Sequence, residues 1–252
     1  MKRYQKYLPI ITVLCLIAAW WIIAAIKKYP LLYPSPAAIF VEMIEILKKG
    51  VFYRSLLGSL LRVLISFSVA FILATALSVL SYVFENFERL LYPIILLVRA
   101  TPTMCVIFLC VLWFKPSVTP MVVAAAVIFP TMYSSSLTAF KSCDKDLIEM
   151  SKLYEVPTKT MISKLYLPFM AERVYSDAVS VVSLNVKLIV AAEAIAQTTD
   201  SLGRLMQGAY GVFEIASLFA YTLAAIILSF LLETLLKLIG FLFRRRRYAE
   251  TN

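Results

Sequence analysis

The chain has 252 residues, is 62% hydrophobic and has a mean hydropathy of +0.85. A soluble domain is about 45–50% apolar, so these values exclude an ordinary soluble fold. The net charge of +10 invites a nucleic-acid reading, but charged residues are only 16% of the chain and gather at the ends of apolar runs, the pattern of membrane topology.

Lys2, Arg3 and Lys6 precede an apolar run predicted to span the membrane from about 8 to 26. The run exceeds a signal-peptide core, and Trp20-Trp21 followed by Lys27-Lys28 offers no small-residue cleavage site, so it is expected to remain as a first span. Pro30, Pro34 and Pro36 lead into Ile39, Val41, Met43, Ile44 and Leu47, interleaved with Glu42, Glu45, Lys48 and Lys49. That pattern predicts a short helix at the outer interface. Further spans are expected at about 56–84, 90–114, 118–140, 174–196 and 212–243, with Glu85 to Arg89 as a tight turn and a polar connector from Gln197 to Gly211. The expectation is one all-α integral membrane domain over 1–252, with six transmembrane helices.

Charge counting orients it. With the N-terminus inside, inner segments hold fourteen Lys/Arg and outer loops seven, while Arg62, Arg99, Lys187 and Lys237 lie within spans. The excess predicts both termini in the cytoplasm, N-in and C-in.

The longest polar interruption, 141–173, carries six Lys/Arg and five Asp/Glu and cannot sit in hydrocarbon. Leu147, Ile148, Met150, Leu153 and Tyr154 recur at helical spacing beside Asp144, Asp146 and Glu149. After a break near Glu155-Val156-Pro157, Met161, Ile162, Leu165 and Tyr166 predict a second amphipathic helix stopped at Pro168.

This stretch resembles the cytoplasmic coupling loop of binding-protein-dependent ABC importer permeases. Glu149-Met150-Ser151 stands for that family's Glu-Ala-Ala, Glu155 for its Gly, and Leu167-Pro168 for its Leu-Pro. Other segments resemble importers of the sulfonate, taurine and nitrate type: Tyr33-Pro34-Ser35-Pro36, Ser59 to Val63, Arg99-Ala100-Thr101-Pro102 with Leu112-Trp113-Phe114, Phe129-Pro130, Lys187 to Glu193, and Ser201-Leu202-Gly203. The resemblance implies a type I importer permease with a cytoplasmic coupling helix. It implies that Asp146, Leu147, Glu149, Met150, Ser151, Leu153, Tyr154 and Glu155 dock on separate ABC ATPase subunits. An extracytoplasmic solute-binding protein, a second permease subunit forming a homodimer or heterodimer, and membrane lipid complete the implied partners, in a bacterial inner membrane. ATP and Mg would belong to the ATPase, with no cofactor in this chain.

The departures carry expectations too. A φ above zero at Glu155 would be strained, so either Pro157 makes the turn by another route or coupling is weak. Only six glycines occur in the chain, which predicts looser or different helix packing.

Intramembrane charges point to a path. Arg99, beside Pro102, and Lys187 and Glu193 in the fifth span are the candidates, since ionisable groups in spans face protein or water. Arg99 and Lys187 would favour an anion, against the bland reading that they pair with neighbouring helices or snorkel. Lys187 and Glu193 are six residues apart and point to different faces. Glu193 suits an outer gate or a packing hydrogen bond, and Arg62 suits packing.

The absence of histidine removes Ser-His and Cys-His catalysis and histidine-ligated metal sites. Cys15, Cys105, Cys110 and Cys143 form no CxxC pair. The nearest approach to a phosphate loop, Gly203 to Gly208 followed by Ala209-Tyr210, lacks its Lys-Ser/Thr, so no nucleotide site, nucleic-acid site or catalytic centre is expected. The alternatives to an importer permease are an ion-driven secondary carrier and a degenerate partner subunit of a heterodimeric permease.

Overall fold

The fold is that of a computed structural model, which describes residues 7–27, 29, 31–142, 145–161 and 167–250. Among the described residues every regular element is helical. Among the described residues, four helices are long and apolar enough to cross a membrane: Gly50–Val83, Thr119–Lys141, Tyr175–Ala196 and Ile215–Gly240. A bent pair makes a fifth crossing if it counts as one broken span, and α1 (Leu8–Lys27) adds a shorter apolar helix.

The interfacial helix forms as α2 (Pro36–Leu47). Ser35 caps it by accepting a hydrogen bond from the Ala38 amide, and Pro36 occupies the first turn, where its missing N–H costs nothing. Near its end Lys48 donates to Glu45 (2.6 Å) and holds that exposed carboxyl below the usual carboxylate range.

α3 (Gly50–Val83) is the organising helix. Its buried positions are Phe52, Ser55, Ser59, Val63, Ser66, Ala70, Ala74, Ser78 and Ser81, separated by threes and fours. This seam of serine and alanine lets α6 (Thr119–Lys141) pack closely on α3, and α6 in turn packs on α9 (Leu167–Ala196). Small hydroxyl residues thus give the seam the close approach that glycine gives in other membrane helices. The serines also bond across it: Ser66 donates to Asn185 (3.0 Å), and Ser81 and Tyr133 share a hydrogen bond (2.7 Å).

Two glycines, Gly58 and Gly203, sit at close backbone approaches. A Cβ on Gly58 would lie 2.2 Å from the Asp200 carbonyl oxygen, and one on Gly203 would lie 2.3 Å from the Val190 carbonyl oxygen. No glycine has a positive φ; Glu155, Gln197, Asp200 and Phe213 do.

Three expectations need correction. The third span is not one helix: α4 (Glu85–Ala100) and α5 (Thr103–Trp113) meet at 99°. Pro102 has no N–H to continue the ladder, and its ring pushes Thr101 out of the helical region (φ −72°, ψ 124°). There is also no tight turn at Glu85 to Arg89, because α4 begins at Glu85 directly after Phe84. Pro168 does not stop a helix but lies in the first turn of α9. Ile162, Leu165 and Tyr166, assigned to the preceding helix, lie outside the described residues; what is described there is α7 (Lys145–Leu153) and the short α8 (Thr158–Met161). The polar connector is itself largely helical, as α10 (Leu202–Gly211), with Ser201 as N-cap accepting from the Arg204 amide. The last helix, α11 (Ile215–Glu250), closes the bundle against α2, α9 and α10.

Candidate functional site

Two ends of the bundle and one lateral groove hold the candidate residues. At one end α7 projects with Asp146, Glu149 and Met150 exposed, and Leu153 and Tyr154 are 81% and 74% exposed. Apolar side chains that open are not what an ordinary loop helix presents to water. Ser151 is partly buried, and the side chain of Leu147 lies outside the described residues.

The helix closes on Glu155. Its φ is 52°, and the next amide, Val156, donates back to the Ser151 carbonyl (2.9 Å). A left-handed residue bridged by this six-to-one bond is the Schellman ending, which usually takes Gly. Of the two alternatives at this position, a turn made by another route through Pro157 is not what forms: Glu155 adopts the conformation a glycine would adopt.

At the opposite end Glu193 is fully buried and fully engaged. It accepts from Ser59 (2.7 and 2.9 Å), from Arg62 (2.9 Å) and from the Gly203 amide (3.2 Å). Arg62 also donates to the Thr199 and Asp200 carbonyls (3.0 and 3.1 Å), and Ser59 accepts from the Leu202 amide (2.9 Å). One carboxylate therefore fastens α3, α9 and the start of α10 together. This is packing geometry, not a free charge facing a path.

Residues 67–247 match the model of the family described as binding-protein-dependent transport system inner membrane component. The chain belongs to this family. The permease is 26% identical over 170 residues to the formylaminopyrimidine transport permease protein of Halalkalibacterium halodurans, covering 67% of this chain and 68% of that one. It is 26% identical over 235 residues to the riboflavin transport system permease protein of Chloroflexus aurantiacus, covering 90% and 87%. It is 25% identical over 237 residues to the taurine transport system permease protein of Escherichia coli, covering 91% and 86%. The family is one of transport permeases of the inner membrane rather than a class of catalysts, and it leaves the ion-driven carrier without support.

The remaining path candidates are not brought together within the permease. Arg99 lines a cavity of about 280 Å³ between α4 and α6 and donates to the Pro130 carbonyl (3.2 Å). Beside it Lys141 pairs with Glu88 (2.6 Å), on the α7 side. Pro102 is exposed at the bend between α4 and α5. Lys187 faces a groove of about 710 Å³ between α9 and α11. Lys187 and Glu193 thus serve different faces of α9.

Sequence reasoning missed the Arg62–Glu193 pair, although a signal was there. Arg62 lies about six residues into the second span and Glu193 about three before the end of the fifth, which in antiparallel helices is a similar depth. Opposite charges at matched depth in apolar helices have strong reason to find each other. Asn185, fully buried and donating to the Val63 carbonyl (2.8 Å), gave no such cue.

Proposed function

We propose that the chain is the transmembrane subunit of an ATP-driven ABC importer, in which α7 transmits the motion of a separate ATPase and the membrane helices carry a small organic or inorganic anion. The observation that carries this is the α7 end: an apolar tip of Met150, Leu153 and Tyr154, flanked by Glu149 and Glu155, exposed at one pole of the bundle. An amphipathic helix of this kind fits a groove on a partner, because Met150, Leu153 and Tyr154 remain uncovered by their own chain. The Schellman ending at Glu155 supports a working turn at the position where the family has Gly. That weighs against a degenerate subunit.

The family description names a binding protein, which supports delivery of the solute from outside. ATP and Mg belong to the ATPase in this reading, and a second permease subunit completes the path by rigid-body alternating access. The charge bias of the loops supports a cytoplasmic α7, on the side where nucleotide is. Lys187, which has no hydrogen-bond or ion-pair partner among the described residues, favours an anionic cargo.

The test is co-purification of the tagged chain from native membranes, unchanged and as Glu149→Arg. An ATPase subunit is expected with the unchanged chain and should be lost with the variant, while Lys115→Glu, at the other pole, should retain it. Absence of any ATPase under conditions that keep other membrane complexes intact would overturn the proposal.

A further inference from the structure

We infer that the groove between α9 and α11 is a binding chamber for an organic monoanion with an apolar body, held by Lys187. The inference rests on the importer reading and narrows its cargo.

Lys187 sits nine residues before Ala196 in the Tyr175–Ala196 segment, about 14 Å along the helix, so its ammonium lies deep in the span. Among the described residues it makes no hydrogen bond or ion pair, unlike Arg62, Lys141 and Lys237. A bare ammonium at this depth is costly against lipid, so it must face water, a partner or a ligand. The carboxylate in the same groove does not satisfy it. Glu233 is taken by Lys237 (2.5 Å) and by the Ser183 hydroxyl (3.1 Å), which leaves the positive charge of Lys187 uncompensated.

The shape and chemistry of the walls select the rest of the ligand. The groove, at about 710 Å³, is lined by Val186, Val190, Met206, Ile226 and Phe230 around the ammonium. That volume is within the range of small-molecule sites, which combine apolar walls with a few placed polar groups. Ser229 supplies a hydroxyl with no partner among the described residues. One ammonium and one hydroxyl match a single sulfonate or carboxylate. They do not replace the hydration shell of a small inorganic anion, and they leave the second charge of a dianion uncompensated.

The experiment uses membrane vesicles carrying the full chain with whatever subunits accompany it. Cys15, Cys105 and Cys143 are replaced by Ser and Cys110 by Ala, and Thr222→Cys places a thiol in the groove wall while Lys187 stays. The readout is the rate of labelling by a water-soluble methanethiosulfonate. The probes are 2-naphthalenesulfonate, inorganic sulfate and uncharged 2-naphthol at equal concentration.

Thr222→Cys should label, 2-naphthalenesulfonate should slow labelling, and sulfate and 2-naphthol should not. Adding Lys187→Gln should raise the half-protecting concentration at least tenfold, about 1.4 kcal/mol, and Lys187→Arg should restore it to within about threefold. Labelling at exposed Tyr210→Cys, unchanged by Lys187→Gln, verifies that the reagent reaches the variant, and an unchanged unfolding midpoint verifies that it is folded. The chamber is refuted if Thr222→Cys stays unlabelled while Tyr210→Cys reacts, if sulfate or 2-naphthol protects equally well, or if protection ignores Lys187→Gln. Co-purifying ATPase is scored on the same vesicles. Protection without an ATPase would sink the importer reading and keep the chamber, and an ATPase without protection would do the reverse.

Discussion

Helices α7 and α9 end in the same local geometry in opposite surroundings. After α7, Glu155 is left-handed (φ 52°) and Val156 donates to the Ser151 carbonyl; after α9, Gln197 is left-handed (φ 51°) and Thr198 donates to the Glu193 carbonyl (3.1 Å). Neither position has the glycine such an ending favours. The residues just after Gln197 are braced from two directions. Thr198 donates to the Pro116 carbonyl (2.7 Å), and Arg62 holds the carbonyls of Thr199 and Asp200. Among the described residues beside Glu155, Leu153 and Tyr154 are exposed. One strained turn is fixed by tertiary structure, whereas the other is left uncovered, as a surface reserved for a partner would be.

Breaking the brace should have the largest effect. Glu193→Ala would leave the Arg62 guanidinium, 13% exposed, without its carboxylate, and removing one member of a buried pair costs about 3–5 kcal/mol. The unfolding midpoint of the purified chain should fall accordingly, and labelling of a cysteine placed at exposed Gln197 should accelerate as the elbow loosens. The double variant Arg62→Met, Glu193→Leu should lose much less, since no charge is stranded. If the single and double variants lose equal stability, the ion pair is not what holds the elbow.

The close approach beneath the elbow comes next. A methyl on Gly203 would meet the Val190 carbonyl oxygen at 2.3 Å and the Ala194 nitrogen at 2.6 Å, both backbone atoms that cannot swing away. Gly203→Ala should therefore cost about 1–3 kcal/mol as α10 is pushed from α9. Gly208, five residues along the same helix, has nothing within 4 Å of an added Cβ, so Gly208→Ala should be neutral or stabilising. Equal midpoints for the two variants would rule out tight backbone contact at Gly203.

The contrast also explains what could be read from the chain. The apolar runs located the helices α1, α3, α6, α9 and α11, because burial in lipid leaves a long, unambiguous pattern. The break at Thr101-Pro102 was visible as a proline but not as a bend of 99°, since prolines within α4 and α6, Pro93 and Pro130, are accommodated without ending the helix. Glu155 was recognisable as a misfit for a left-handed turn, yet the hydrogen bond that holds it there depends on where α7 stops. Gln197 and Phe213 carried no warning, because nothing in a glutamine or a phenylalanine announces a positive φ. The helix α7 follows from local periodicity, whereas the Glu193 network joins positions more than 130 apart and depends on tertiary packing.

The smallest effect separates the two turns most sharply. Replacing Glu155 or Gln197 by Gly removes left-handed strain of about 1 kcal/mol in each folded turn. The free energy appears in different places, because hydrogen exchange reports the cheapest opening available to each amide. The end of α7 can open by itself, so Glu155→Gly should slow exchange of the Val156 amide about fivefold without moving the unfolding midpoint. The end of α9 cannot open without releasing Arg62 and Glu193, so Gln197→Gly should leave exchange at Thr198 tied to global unfolding and act only on the midpoint. Exchange measured at both amides in both variants decides the matter. If Glu155→Gly shifts the midpoint and spares the Val156 amide, the α7 end is as firmly built into the bundle as the elbow, and its exposed tip is not a separate moving part.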